Sequence, residues 1–152
     1  AQAVGAGRND AAVTYEPYLS TVRANPASGK ILATTLDYPH IMDTVGCAPE
    51  WLKDNPKAAK ALADSYFEAL EMIKADPAKS NDIMGSAVKQ TGEAFAKSSN
   101  YLRWQDKAAN QKFFAGELQQ FMKDAAAILL EAGVIRKLPE SYNAMFDDSF
   151  IK

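Results

Sequence analysis

Apolar positions along this chain recur in two rhythms. From about residue 56 onward they fall three and four apart. Ala59, Leu62, Tyr66, Phe67, Leu70 and Ile73 make one stripe over about 56–75, the pattern of a helix that lays one face on a core. Asp54-Asn55-Pro56 opens that stripe as a cap followed by a first-turn proline, and Asp76-Pro77 closes it. A shorter helix is expected around 80–89, turning Ile83, Met84 and Val88 inward. Another begins at Thr91-Gly92-Glu93, and Asp106 can cap one from 107 that Gly116 interrupts or bends. Leu118, Phe121, Met122, Ala125, Ile128 and Leu129 form the last long stripe, with Gly133 as a left-handed terminator. Beyond Lys137, turn residues alternate with apolar anchors at Leu138, Met145, Phe146, Phe150 and Ile151.

The first quarter has another rhythm. Residues 1–8 are small and weakly helical, and Asn9-Asp10 is a turn signal. Ala11-Ala12-Val13-Thr14-Tyr15 is short, uncharged and mostly apolar, as a strand covered on both faces would be. Glu16-Pro17 stops it, and Pro17 to Ala24 reads as a short helix, since proline suits a first helical turn. After a loop over 25–29, Lys30 to Thr35 reads as a second strand, and Ile41 to Cys47 as a third weakened by Gly46. Strand, helix and strand with short links predict a parallel sheet. The expected class is therefore α/β: a few parallel strands followed by a helix-rich region. So few strands do not make a stable parallel sheet, which places further strands outside this chain or on a partner.

At 152 residues and 47% apolar content the chain has the length and mix of one globular domain. It can bury about 70% of its unfolded surface. Seventeen basic and nineteen acidic side chains leave a charge of −2, and residues 1–40 are balanced at three of each. That removes the electrostatic case for a nucleic-acid or anionic-membrane binder. Cys47 is the one cysteine and His40 the one histidine. An internal disulfide and a structural zinc site are thereby excluded. No apolar run reaches eighteen residues, so no membrane-spanning helix is expected. The opening residues hold no leader pattern, and the chain reads as mature, trimmed or cut from something longer.

Four blocks in order carry a resemblance. DAAVTYEPYLS (10–20), KILATTLDYPHIMDTVG (30–46), NPKAAKALADSYFEALEMIKADP (55–77), and GELQQFMKDAAAILLEAGVIRKLP (116–139) with FDDSFI (146–151) resemble the substrate-binding proteins of bacterial ABC importers for sulfonates, taurine, nitrate and related small molecules. The resemblance covers essentially the whole chain and matches only the C-terminal half of that family. It implies a two-lobed periplasmic-binding-protein fold of type II. Residues 1–36 would end the second lobe, and residues 37–152 would supply the crossover and the C-terminal helices of the first. The implied function is capture of a small sulfonate, taurine, nitrate or related nitrogenous compound between the lobes, without catalysis or cofactor, in the periplasm or outside the cell. The implied partners are that ligand, a membrane permease, and either a missing N-terminal half or a second copy of the chain.

The residues that would touch ligand are Tyr15, Glu16, Asp37, Tyr38 and His40. Tyr15 and Glu16 end a strand expected to be parallel, where open α/β sheets place their crevice. Tyr15 stands where the family carries an aromatic, usually tryptophan, and Glu16 where it carries an acid. A carboxylate in a partly dry cleft attracts a cation and repels a bare anion, which favours a zwitterionic or nitrogen-rich ligand. The competing role for Glu16 is capping of the helix after Pro17. Asp37, Tyr38 and His40 fall at the crossover and either line the cleft floor or form a solvated loop. Cys47 reads as a small buried hydrophobe. The aromatics Tyr101, Trp104, Phe113, Phe114 and Phe121 read as core. Two other functions stay open: an interaction module that folds or dimerises through an unpaired strand edge, and a pyrimidine-synthesis-like enzyme working through His40 or Cys47.

Overall fold

The structure, a computed structural model, describes residues 2–39 and 41–152. It is 60% helical and contains no strand among the described residues. In chain order the α-helices are α1 (Gln2–Gly5), α2 (Tyr18–Ala24), α3 (Pro49–Asp54), α4 (Pro56–Ala75), α5 (Pro77–Ala87), α6 (Gly92–Ser99), α7 (Lys107–Lys112) and α8 (Leu118–Glu131). A π-helical turn, Phe113–Glu117, joins α7 to α8 with Gly116 out of helical geometry. Short 3-10 turns occupy Pro26–Ser28, Asn143–Met145 and Ser149–Ile151.

The α/β expectation is corrected by this. The runs at 11–15, 30–34 and 41–47 are all non-helical, yet none pairs with another. A strand cannot satisfy its own backbone, and a sheet needs several strands laid side by side. The second run is also cut short. Asp37 accepts from the backbone N–H and the hydroxyl of Thr34, both at 3.2 Å, and its own N–H donates to Thr34 O at 3.1 Å. That pair folds residues 34–37 into a turn.

The helices follow from local chemistry. Proline occupies the first turn of α3 and α4, where its missing N–H costs nothing. The Thr91 hydroxyl accepts from Ala94 N–H at 3.1 Å to start α6, and the Asp106 carboxylate accepts from Ala109 N–H at 2.9 Å to start α7. Gly133, at φ +70°, ends α8. Its N–H donates to Leu130 O at 3.0 Å and Val134 N–H donates to Leu129 O at 2.9 Å, the paired return bonds of a Schellman stop.

The chain divides into two compact units. Residues 2–39 and 78–103 form the first. Here α5 and α6 approach through small residues: a β-carbon on Gly85 would stand 2.9 Å from Thr91 O, and one on Gly92 would overlap the Asp82 carboxylate. Ser80, Gly85, Gly92 and Ser98 are accordingly the buried positions of these helices. The expected inward residues Ile83 and Val88 face solvent instead, because backbone-close packing selects the face with the smallest side chains.

Residues 41–77 and 104–152 form the second unit. Ala59 and Leu70 of α4 and Leu118 and Ala126 of α8 are its buried apolar residues. Phe113 meets Phe121 edge-on with centroids 6.1 Å apart, and Phe114 meets Phe146 at 5.5 Å. The Tyr66 hydroxyl donates to Gln105 O at 3.1 Å, and Gln111 Nε2 donates to Ile151 O at 2.9 Å, tying the tail to α7. Cys47 is exposed rather than buried, as are the other residues of its extended run.

The tight α5–α6 approach yields a test. Gly85→Ala forces Thr91 backbone outward and should destabilise the protein by about 1–3 kcal/mol. Gly133→Ala, at a positive φ with open space around it, should cost about 1–2 kcal/mol. Urea unfolding followed by circular dichroism measures both.

Candidate functional site

The first unit is organised around Glu16. Glu16 lies just ahead of α2, four residues before Ser20 and seven before Arg23. It accepts from the Ser20 N–H at 3.0 Å and the Ser20 hydroxyl at 2.6 Å, and it is ion-paired with Arg23. Only 18% of the Glu16 side chain and 26% of the Arg23 side chain remain exposed. On its far side the Arg23 guanidinium lies over the Tyr101 ring, 3.8 Å from the centroid. A stacked guanidinium keeps its in-plane N–H groups available to an acceptor. Carboxylate, guanidinium and ring therefore form one column that ties α2 to the residues just after α6.

Beside the column lies an open groove of about 420 Å³, lined by Ser20, Arg23, Gln90, Lys97, Ser98 and Tyr101, together with Ala94 and Asn100. Its lining holds two cationic side chains, two amides and three hydroxyl side chains and no carboxylate, with the Ser20 hydroxyl already donated to Glu16. Lys97 is held by Glu93 at 2.7 Å, outside the lining. This is a surface of donors around one aromatic wall, suited to acceptor oxygens on a small solute. A second hollow of about 290 Å³, between Gln111, Phe114, Ala115, Asp148, Ile151 and Lys152, offers less. Its charged pair, Asp148 and Lys152, is already joined at 3.1 Å.

Partial burial pushes the Glu16 carboxyl upward. The Ser20 hydroxyl, Arg23 and the Ser20 N–H together outweigh it and hold the group below its ordinary value.

The expected ligand residues are not gathered in one place. Glu16 stands behind the groove, bound to two of its lining residues, and so takes both the capping and the charge-pairing roles. Tyr15, 72% exposed, packs edge-on against Tyr18 with centroids 5.6 Å apart. Asp37 is engaged in its turn with Thr34, and Tyr38 is exposed. His40 lies outside the described residues. The reading of the sequence missed Ser20, Arg23, Gln90, Lys97, Asn100 and Tyr101. Ser20 and Arg23 share one face of α2, but Glu16 lies outside that helix, so helix spacing did not mark their contact with it. Nothing local marks Tyr101 as the partner of Arg23. Among the described residues no group of three acidic, histidine or cysteine side chains is placed to hold a metal.

No family model, curated protein or solved structure matches this chain.

The Glu16 column predicts a pH dependence. A carboxyl held low in the folded state stabilises the fold above its unfolded value, and that stabilisation is lost as pH falls through the folded value. Glu16→Gln should lower stability at neutral pH by about 1–3 kcal/mol. The gap to wild type should close as the pH drops below the ordinary carboxyl value of 4.5. Thermal melts of both proteins across that range check it.

Proposed function

We propose that this chain serves solute capture for an ABC importer, holding a small sulfonate, taurine, nitrate or related nitrogenous compound for delivery to a membrane permease. The reading rests first on the four ordered sequence blocks that resemble the substrate-binding proteins of such importers. The single structural observation in its favour is the groove of the first unit, whose lining holds two cations, two amides and three hydroxyl side chains and no carboxylate.

In this reading the acidic or nitro oxygens of the solute accept from Lys97, Asn100, Gln90 and the free edge of Arg23. Charge-assisted donors bind such oxygens about twice as strongly as neutral ones. Glu16 offsets the Arg23 charge from behind, which tempers the pull on a bare anion and favours a solute that also carries a positive end. Tyr101 gives the solute an apolar wall and keeps the Arg23 plane from turning. The role is binding without turnover. Uptake then depends on the bound form docking at the permease, through a bias that the solute sets by preferring one conformation.

Calorimetric titration with taurine, short alkanesulfonates, nitrate, and small ureas and amidines tests the reading. Saturable heat is expected with at least one of them. Lys97→Ala and Asn100→Ala should each weaken that binding about tenfold, the loss of one charge-assisted or well-placed donor. Melting curves verify that the variants fold. Absence of heat across the panel would remove the ligand assignment.

A further inference from the structure

The two cations of the groove are held by acids in unequal ways. Arg23 gives Nη1 to one oxygen of Glu16, and the other oxygen takes the Ser20 N–H at 3.0 Å and the Ser20 hydroxyl at 2.6 Å. Ser20 and Arg23 line the groove while Glu16 does not. One carboxylate outside the lining thus engages two of the donors within it. Its side chain is mostly buried, so water and salt screen its charge little. Lys97 pairs with Glu93 at 2.7 Å, but both of those side chains are exposed, and such a pair is well screened. With its two acids counted, the groove carries no net charge.

An acid group entering the groove needs what Glu16 already holds. An oxyanion binds a guanidinium best through two parallel N–H bonds. With Nη1 engaged by Glu16, it must share that nitrogen or displace the carboxylate. Arg23 is the better anchored partner, because its guanidinium also lies 3.8 Å from the centroid of the Tyr101 ring. Glu16 follows an extended run whose residues 11–13 are exposed, and among the described residues no backbone group of 11–14 is bonded to another. Taking the groove as the solute site, as proposed above, we infer that Glu16 is an internal competitor for the acid end of the solute: it occupies Arg23 and Ser20 in the empty groove, and an anion binds only by contesting that hold.

The competition acts in both directions. Removing the Glu16 charge weakens its hold on Arg23 and Ser20 together and leaves the groove one positive charge in excess. An anion that takes Arg23 removes, in turn, part of what keeps the Glu16 carboxyl below its ordinary value. A solute with a positive end beside its acid gains less from the loss of Glu16, since that carboxylate attracts the positive end. Glu93 supplies the contrast. It has the same charge and pairs with the other cation, but it is exposed to water and holds neither Arg23 nor Ser20.

Calorimetric titration of the full chain with ethanesulfonate and with taurine reads this directly. Glu16→Gln, which removes the charge and keeps the shape, should bind ethanesulfonate about tenfold more tightly than wild type. Taurine should gain less, and Glu93→Gln should shift either solute about twofold or less. Circular dichroism checks that Glu16→Gln is folded. A measurement on the wild-type chain stands beside it. Carbon NMR of the Glu16 carboxyl should show its pKa rising toward the ordinary value as ethanesulfonate is added, a response that a purely structural ion pair would not give. Glu16→Gln that binds ethanesulfonate no more tightly than wild type would overturn the inference. So would a Glu93→Gln gain as large as that of Glu16→Gln, or, where Glu16→Gln does not fold, a Glu16 pKa indifferent to the anion. Wild type silent toward every solute, with Glu16→Gln binding ethanesulfonate, would remove the solute-capture reading and leave the competition standing.

Discussion

Backbone N–H and C=O groups must find partners or water, and a helix is the one regular element that supplies them within a single segment. This constraint decides what the chain becomes. Every stretch able to close its own hydrogen bonds is helical, from α4 with its proline start to α8 with its glycine stop. The stretches at 11–15, 30–34 and 41–47 need a neighbour laid beside them, and they remain extended and unpaired. The interior is thin: among the described residues the buried apolar side chains are Ala59, Leu70, Leu118 and Ala126.

With so little apolar burial, polar contacts carry more of the first unit's organisation. Glu16 replaces an N-cap, neutralises Arg23, and through Arg23 reaches Tyr101. Mostly buried as they are, the paired charges gain more from each other than exposed pairs such as Glu71 with Lys74. The donor-rich groove is a by-product of that column. Arg23 is held by the acid and on one face by the ring, and it lines the open space together with Ser20, Gln90, Lys97 and Asn100.

Sequence and structure divide along the same physical line. The helices over 56–75, 92–99 and 118–131, the caps at Thr91 and Asp106, the stop at Gly133 and the helix after Pro17 were legible in the chain, because the forces that set them act within one or two turns. The sheet was misread, since alternation and β-propensity report only what a run can do once a neighbour exists. The buried face of α5 was misread as well: the Ile83 and Val88 stripe lost to Ser80 and Gly85, because proximity to the α6 start rewards small side chains over apolar ones. The contact between Arg23 and Tyr101, and with it the groove, was decided only in three dimensions, where residues 78 positions apart in the chain come to share one wall.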